Sequence, residues 1–432
     1  MNTQRTTFAH WSINHSAGVW IFALAVISNL ILAVAVPNVD WTDQGETSRI
    51  AASIANGQGF SNPFQEPTGP SALIPPVYPY LLGGIFSVFG VFTVMSYCVA
   101  IAVNIIVHAL TCLFLYWAAG EAFGRRAGLF AAIALATFPL FFYPLVLLHV
   151  LGNVNAGVGL FLPPHAIWYT HLSALAIVLL IWLTLRRSHW TVYGIAWGIS
   201  ALVNPGILAL APAFMAWRLW HRASWQNVGL ATVVAVLCVT PWLVRNYLVF
   251  QSPVFIRDGF GLELKVGNQP GSRGLSTSEI HPWHSAYELS RVIQMGEVEY
   301  VREAGRAAME TIRSRPGEFV CNTLLRIVYY WIGDPPSSQR LHGALKLLKY
   351  LPQVVFSVLT FYGVGRALRY RNREALLFVA VLFFYPLVYY ITRTYGFTFQ
   401  YSIQPEMLAL ATSAIIREKG EQTNLIERKA AS

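Results

Sequence analysis

Apolar positions in this chain neither alternate, as in a half-buried strand, nor form the narrow stripe of a surface helix. They come in almost uninterrupted runs, such as Val19–Val36, Val228–Val239 and Ala375–Val388. A helix needs about 20 predominantly apolar residues to cross the hydrocarbon layer. The pattern therefore predicts an all-α polytopic membrane protein.

Arginine clusters mark the ends of these runs: Arg125/Arg126, Arg186/Arg187, Arg218/Arg222, and Arg366/Arg369/Arg371/Arg373. Under the positive-inside rule such clusters face the cytoplasm. The first helix (about 18–36) then runs outward, into a long external segment at 37–92. Helices near 93–119, 129–147, 165–185, 191–204, 206–220 and 226–243 follow, completing an amino-terminal module at 1–243. A polar external segment spans 244–345. Helices near 350–365, 374–391 and 398–416 lie within a carboxy-terminal unit at 346–416, and a charged cytoplasmic tail occupies 417–432. The sum is about ten crossings. Ala33-Val34-Ala35 resembles a signal-peptidase site, but the apolar run before it is long and its leader nearly uncharged, so the first helix is expected to be retained.

Both external segments carry helical patterns. Ile50 and Ile54 share a face of a helix expected over Asp43–Asn56, which Gly57 and Gly59 end. Val77–Phe89 is apolar, aromatic and too short to span, and it is expected at the outer interface. Glu288–Arg315 has charged helical spacing. Glu318–Ile332 resumes as an aromatic-rich helix lying on the membrane. Gly261–Gly271 is glycine-bounded and polar, a loop able to approach a ligand closely or an ordinary turn.

Composition narrows the function classes. Of 432 residues, 55% are hydrophobic and only 12% charged, where soluble domains carry roughly 25% charged residues. The net charge of +10 sits at helix ends, so it indicates anionic lipid headgroups, not nucleic acid. Four widely spaced cysteines, with no CxxC or histidine-rich spacing, indicate neither a disulfide framework nor a zinc site. No obligatory cofactor is expected, although the pattern leaves room for a divalent metal.

Candidate chemistry gathers outside the first helix. Asp40, Asp43 and Glu46 form the densest acidic group in the chain. Asp43 and Glu46 are spaced to share a helix face, and equally to cap a helix start. Arg245, Arg257, Lys265, Arg273 and His281 fall in or beside the second external segment. Arg245 stands where a helix leaves the membrane, where a guanidinium either snorkels to water or binds phosphate bidentately. Further polar residues near external helix ends are Arg49, His149, Asn153, His165, His171, Arg393, Tyr395 and Gln400. Each singly suits packing. Together with the acids they suggest a polar cavity opening outward, with Asp40, Arg49, His171, Arg393 and Tyr395 as lining.

The string Asp43…Glu46-Thr-Ser-Arg-Ile…Gly57-Gln-Gly59-Phe…Gly69-Pro70…Pro75-Pro76-Val-Tyr-Pro79…Phe89-Gly90 resembles the amino-terminal module of the GT-C membrane glycosyltransferases. It is most similar to bacterial family-39 proteins, akin to protein O-mannosyltransferases and the aminoarabinose transferase of lipid A. Phe123-Gly-Arg-Arg-Ala-Gly128, Asn204-Pro205, Pro241-Trp…Arg245-Asn-Tyr, Gly267-Asn-Gln-Pro, Gly296-Glu-Val-Glu-Tyr300 and Tyr401-Ser-Ile-Gln-Pro405 extend the likeness in order along the chain.

The resemblance implies inverting transfer of a sugar from a polyprenyl-phosphate donor to an acceptor on the extracytoplasmic face of a bacterial inner membrane. It puts the functional acid in the first external loop, on Asp43 or Glu46. The adjacent Asp-Glu pair usual there is replaced by Asp43-Gln44. Arg245 and His281, with Lys265 and Arg257 beside them, fall where help with the donor phosphate is expected. Such a reaction needs a base for the acceptor hydroxyl and positive charge for the departing phosphate. Two other classes compete: a transporter or flippase of a lipid-linked sugar, and a non-catalytic subunit of cell-envelope glycan assembly.

Overall fold

The structure is a computed structural model that describes residues 15–35, 45–152, 168–333, 344–394 and 397–416. Asp40, Asp43, Asn153, His165, Tyr395 and the tail lie outside these residues, as does the side chain of His149.

Three helices begin the chain: α1 (His15–Ala35), α2 (Glu46–Ala55) and α3 (Val77–Phe89). At about 1.5 Å per residue α3 is some 20 Å long, well short of a roughly 30 Å hydrocarbon layer. Gly90, with φ 91°, ends it, and Thr93 and Ser96 form a capping box that starts α4 (Val94–Phe123). Next come α5 (Arg125–Gly152), α6 (Thr170–Leu185), α7 (Trp190–Val203), a 3-10 turn over Pro205–Leu210, α8 (Ala211–Trp220) and α9 (Trp225–Phe250). Helix α9 therefore continues past residue 243 and carries Arg245 on its last turns. Its apolar side chains, among them Val233, Val236, Leu237 and Leu248, are exposed along its length. A face of that kind, on a helix long enough to cross a membrane, suits contact with lipid.

In the second external segment, α10 (Phe260–Gly267) occupies the stretch expected to be a loop. The single helix expected over Glu288–Arg315 is two, α11 (Ala286–Met295) and α12 (Glu297–Ser314), because Gly296 takes φ 79° between them. Helices α13 (Pro316–Ile332), α14 (Ala344–Arg369), α15 (Ala375–Phe384), α16 (Leu387–Ile391), α17 (Phe397–Gln400) and α18 (Gln404–Ile415) complete the order.

Among the described residues four helices are long and apolar enough to cross a membrane, and shorter apolar helices accompany them. Length alone thus accounts for fewer spans than the apolar runs predict. Prolines shorten some of them: Pro205 turns the chain after α7, and Pro386 separates α15 from α16.

Small residues draw the helices together where apolar side chains gain little by leaving lipid. A Cβ on Gly194 would lie 2.6 Å from the Ala231 carbonyl, and one on Gly198 would lie 2.5 Å from Cys238, so α7 and α9 touch backbone to backbone. The arginine-bearing helix ends are tied to one another. Arg186 pairs with Glu121 at 2.5 Å, Asn372 donates to Ala122 O at 2.8 Å, and the Trp217 indole donates to Arg373 O at 2.8 Å. The end of α9 away from Arg222 leads into the second external segment.

One junction locks that segment to the bundle. Arg326 on α13, fully buried, donates to the Gly267 carbonyl, to Asn268 Oδ1 at 2.9 Å and to Tyr390 O at 3.0 Å. Asn268 donates in turn to Ile391 O at 3.0 Å. The two backbones meet so closely that a Cβ on Gly267 would fall 1.8 Å from Thr392 O. Gly267→Ala is therefore expected to cost about 1–3 kcal/mol or more by overpacking. Thermal unfolding in detergent checks this: a lowered midpoint is expected. Gly365→Ala, where nothing lies within 4 Å, should leave it unchanged.

Candidate functional site

Helix α2 starts at Glu46 because Gly45 adopts φ 100°, open to glycine and strained for other residues. Gly45 is the cap, so Glu46 stands at the first position of the helix and not at the third, where a capping box would place it. Ile50 and Ala51, both fully buried, fasten α2 against α3. Arg49 donates to Phe64 O at 3.3 Å and Gln65 O at 3.2 Å, holding the loop beyond α2.

The stretch 71–74 is clamped from three sides. Arg245 donates to Ser71 O at 2.7 Å and Phe60 O at 2.8 Å. Glu297 Oε1 accepts from Ala72 N at 2.5 Å, and Asp258 N donates to Ala72 O at 3.1 Å. Burial raises both carboxyls, Asp258 to about 6, and the Asp258 charge raises Glu297 further. The clamp turns Leu73 and Ile74 into a cavity wall. Trp242 and Asn246 on α9 donate to Ile256 O at 2.7 Å and Phe255 O at 2.9 Å, which positions Phe255 and Arg257 on the same wall.

The cavity holds about 680 Å³. Much of its lining is apolar or aromatic, including Trp168, Leu208, Phe255, Phe384, Val388 and Phe399. At one end five ionisable side chains converge: Glu46, Arg257, Glu263, His281 and Arg393. Glu263 accepts from Arg393 Nη2 at 3.1 Å and lies 3.6 Å from Arg257 Nη2. Burial alone would raise its pKa, but the two guanidiniums outweigh burial and hold it below the ordinary carboxylate range. Glu46 behaves in the opposite way. Burial raises it, and Arg393 only partly offsets the rise.

His281 Nε2 lies 3.8 Å from Glu46 Oε1. Burial, helped by Arg393, pushes the imidazole down to about 4, so at neutral pH it is uncharged. Its Nδ1 accepts the Trp283 N–H at 3.2 Å. That bond assigns the proton to Nε2, facing Glu46. The site therefore pairs two guanidiniums with one firmly ionised carboxylate and keeps a second carboxyl easy to protonate.

Of the residues expected from the sequence, Glu46, Arg257, His281 and Arg393 line this cavity. Arg245 does not: its donors go to backbone carbonyls, and its guanidinium lies 4.9 Å from the Trp242 ring centre. Lys265 pairs with Glu288 at 2.8 Å, away from the cavity. Two residues apart on a helix, side chains diverge by about 200°, so Glu263 facing the cavity turns Lys265 away. Arg49 is held by loop carbonyls, and His171 packs edge-on against Tyr401 inside the bundle. Asp40, Asp43 and Tyr395 lie outside the described residues. Among the described residues no group of three or more His, Cys, Asp or Glu is placed to hold a metal.

Sequence reasoning missed Glu263, and with it Trp168 and Tyr169. The signal for Glu263 was present. Read as a helix, Phe260–Gly267 presents Glu263 on one side and Lys265 on the other.

No family model matches the chain, and no curated protein matches it. Solved structures do. The archaeal oligosaccharyltransferase AglB from Archaeoglobus fulgidus, solved with an inhibitory peptide and a dolichol-phosphate, matches 95% of this chain at 15% identity and a TM-score of 0.51. The apo form of the Archaeoglobus fulgidus oligosaccharyltransferase matches 91% of this chain at 17% identity, TM-score 0.48. ArnT from Cupriavidus metallidurans bound to undecaprenyl phosphate matches 92% of this chain and 78% of its own length at 13% identity, TM-score 0.36. The chain spans about half the length of the oligosaccharyltransferase, 52% for AglB. Across 95% of its length the chain shares the fold of that archaeal oligosaccharyltransferase.

Proposed function

We propose that the chain transfers a sugar, with inversion, from a polyprenyl-phosphate-linked donor to an acceptor hydroxyl on the extracytoplasmic face. The observation that carries this reading is the cavity: a long apolar wall ending at Arg257, Arg393, Glu263, His281 and Glu46. An isoprenoid tail suits the wall and a phosphate suits the two guanidiniums. AglB, whose fold this chain shares, was solved with a dolichol-phosphate, in keeping with a donor of that class. The arginine-bearing helix ends, which the positive-inside rule assigns to the cytoplasm, support the outward face.

The ionisable groups divide the work. With His281 uncharged, Glu263 offsets one guanidinium and ionised Glu46 the other; once Glu46 takes the acceptor proton, Arg257 and Arg393 carry net positive charge toward the departing phosphate. Each guanidinium has five N–H donors, so it can hold Glu263 and a phosphate oxygen together. Glu46 takes the proton from the acceptor hydroxyl as the new C1–O bond forms. The bond from C1 to the phosphate oxygen breaks, and its electron pair stays on the phosphate. Attack opposite the leaving phosphate inverts C1.

Glu46→Gln is expected to lower transfer about 10²–10⁴-fold, the usual contribution of a general base. Transfer of a radiolabelled sugar from a cell-envelope lipid extract checks this. Asp43→Asn, assayed in parallel, decides between the two acids, and full activity in the double amide variant would refute both.

The rate should also fall with acidification. Glu46 acts deprotonated and burial raises its pKa above the ordinary glutamate value of 4.5, so the midpoint of the acid limb is expected above that value. A midpoint at or below it contradicts the assignment. Arg393→Gln removes charge-assisted hydrogen bonds of about 1.5–3 kcal/mol each. Retention of polyprenyl phosphate through purification, read by native mass spectrometry, should drop at least tenfold.

A further inference from the structure

A second, smaller cavity of about 260 Å³ opens on the other side of Glu46. It shares Glu46, Trp168, His281, Arg393 and Phe399 with the larger one. Beyond them it continues past Gly45, Ser278, Trp283 and His284. The Glu46 carboxyl therefore faces both spaces, the position a base needs between an acceptor and a donor.

We propose that this smaller cavity binds a saccharide ring, making the acceptor hydroxyl one carried by a glycan; this rests on the transfer reading above. The lining has two indoles together with a hydroxyl, imidazoles, a carboxyl and a guanidinium. Sugar rings present apolar C–H faces, which pack on indoles, and a rim of hydroxyls, which bond such polar groups. At about 30 Å³ per water the space holds roughly nine waters. That is room for one ring of eleven or twelve heavy atoms and too little for a second isoprenoid tail. An extended peptide is commonly captured by pairing with a sheet edge. Among the described residues there is no strand, only an isolated bridge between Ser61 and Pro70.

The Trp283 platform is built in advance. Gln65 Nε2 donates to Trp283 O at 2.9 Å, Trp283 N donates to His281 Nδ1 at 3.2 Å, and the Arg49 guanidinium lies 5.6 Å from the indole centre. Trp168 stacks on Tyr169 with ring centres 5.2 Å apart. Charge favours a neutral ring over an acidic one, because the Glu46 carboxyl lines this cavity and His281 beside it is uncharged.

The test uses the full chain in nanodiscs, a panel of methyl glycosides and a serine- and threonine-containing peptide as probes, read by saturation-transfer NMR. Native mass spectrometry of each sample reports polyprenyl phosphate. At least one methyl glycoside should bind, and Trp283→Ala should weaken it at least tenfold. Trp283→Phe should restore most of the binding, with lipid phosphate retained throughout. Trp283 and His284 line only the smaller cavity, so His284→Ala, at an exposed residue, provides the same test if Trp283→Ala does not fold. Retained lipid phosphate with no glycoside bound, with the peptide bound in its place, or with glycoside binding indifferent to these variants, overturns the saccharide assignment alone. Wild-type protein that never carries lipid phosphate overturns the donor reading as well.

Discussion

The carboxylate of Glu263 holds guanidiniums from Arg257 and Arg393, the latter 130 residues further along the chain. Two like charges do not otherwise settle at the end of an apolar cavity, since each must give up most of its water. One shared anion reduces that cost and fixes both forks in space. Everything around the trio serves its placement. Gly267 lets α10 reach the 390–392 backbone, Arg326 satisfies the carbonyls gathered there, and Trp242 and Asn246 hold the 255–256 stretch that leads into Arg257.

The same arrangement separates the two remaining titratable groups by environment. Glu263 is held ionised by its cations, whereas Glu46 sits beside an uncharged imidazole and is raised by burial. Two carboxylates in one cavity are thereby pushed toward different roles, a structural anion and a proton acceptor. Neighbouring environments, not residue type, make the distinction. Aromatic and aliphatic walls on either side keep water scarce, which strengthens every charge interaction at the junction.

Much of the fold was legible because lipid imposes a strong pattern. Long apolar runs, with arginine at one set of ends, predicted membrane helices and their alternation, and contacts such as Asn372 to Ala122 O join the arginine ends as that alternation requires. The site was legible in part. Glu46, Arg257, His281 and Arg393 were singled out as polar residues on one side of the membrane, and they line one cavity. Arg245 misled because sequence reports that a cation stands at a helix end, not whether backbone carbonyls already engage it. Glu263 escaped because glycines at both ends of a short segment suggested a loop, hiding a helix of eight residues. Pairings over long separations, such as that of Glu263 with Arg393, leave no local trace.

The central claim is that an anionic headgroup on an apolar tail binds between Arg257 and Arg393. The most direct measurement is a high-resolution density map of the purified chain in lipid nanodiscs supplied with polyprenyl phosphate. The account predicts phosphate density within hydrogen-bond reach of both guanidiniums, with the tail running along Phe255, Phe384 and Val388. Phosphate density at Arg245 or Lys265 instead, or a tail in that cavity with its headgroup pointing away from Glu46, would contradict it.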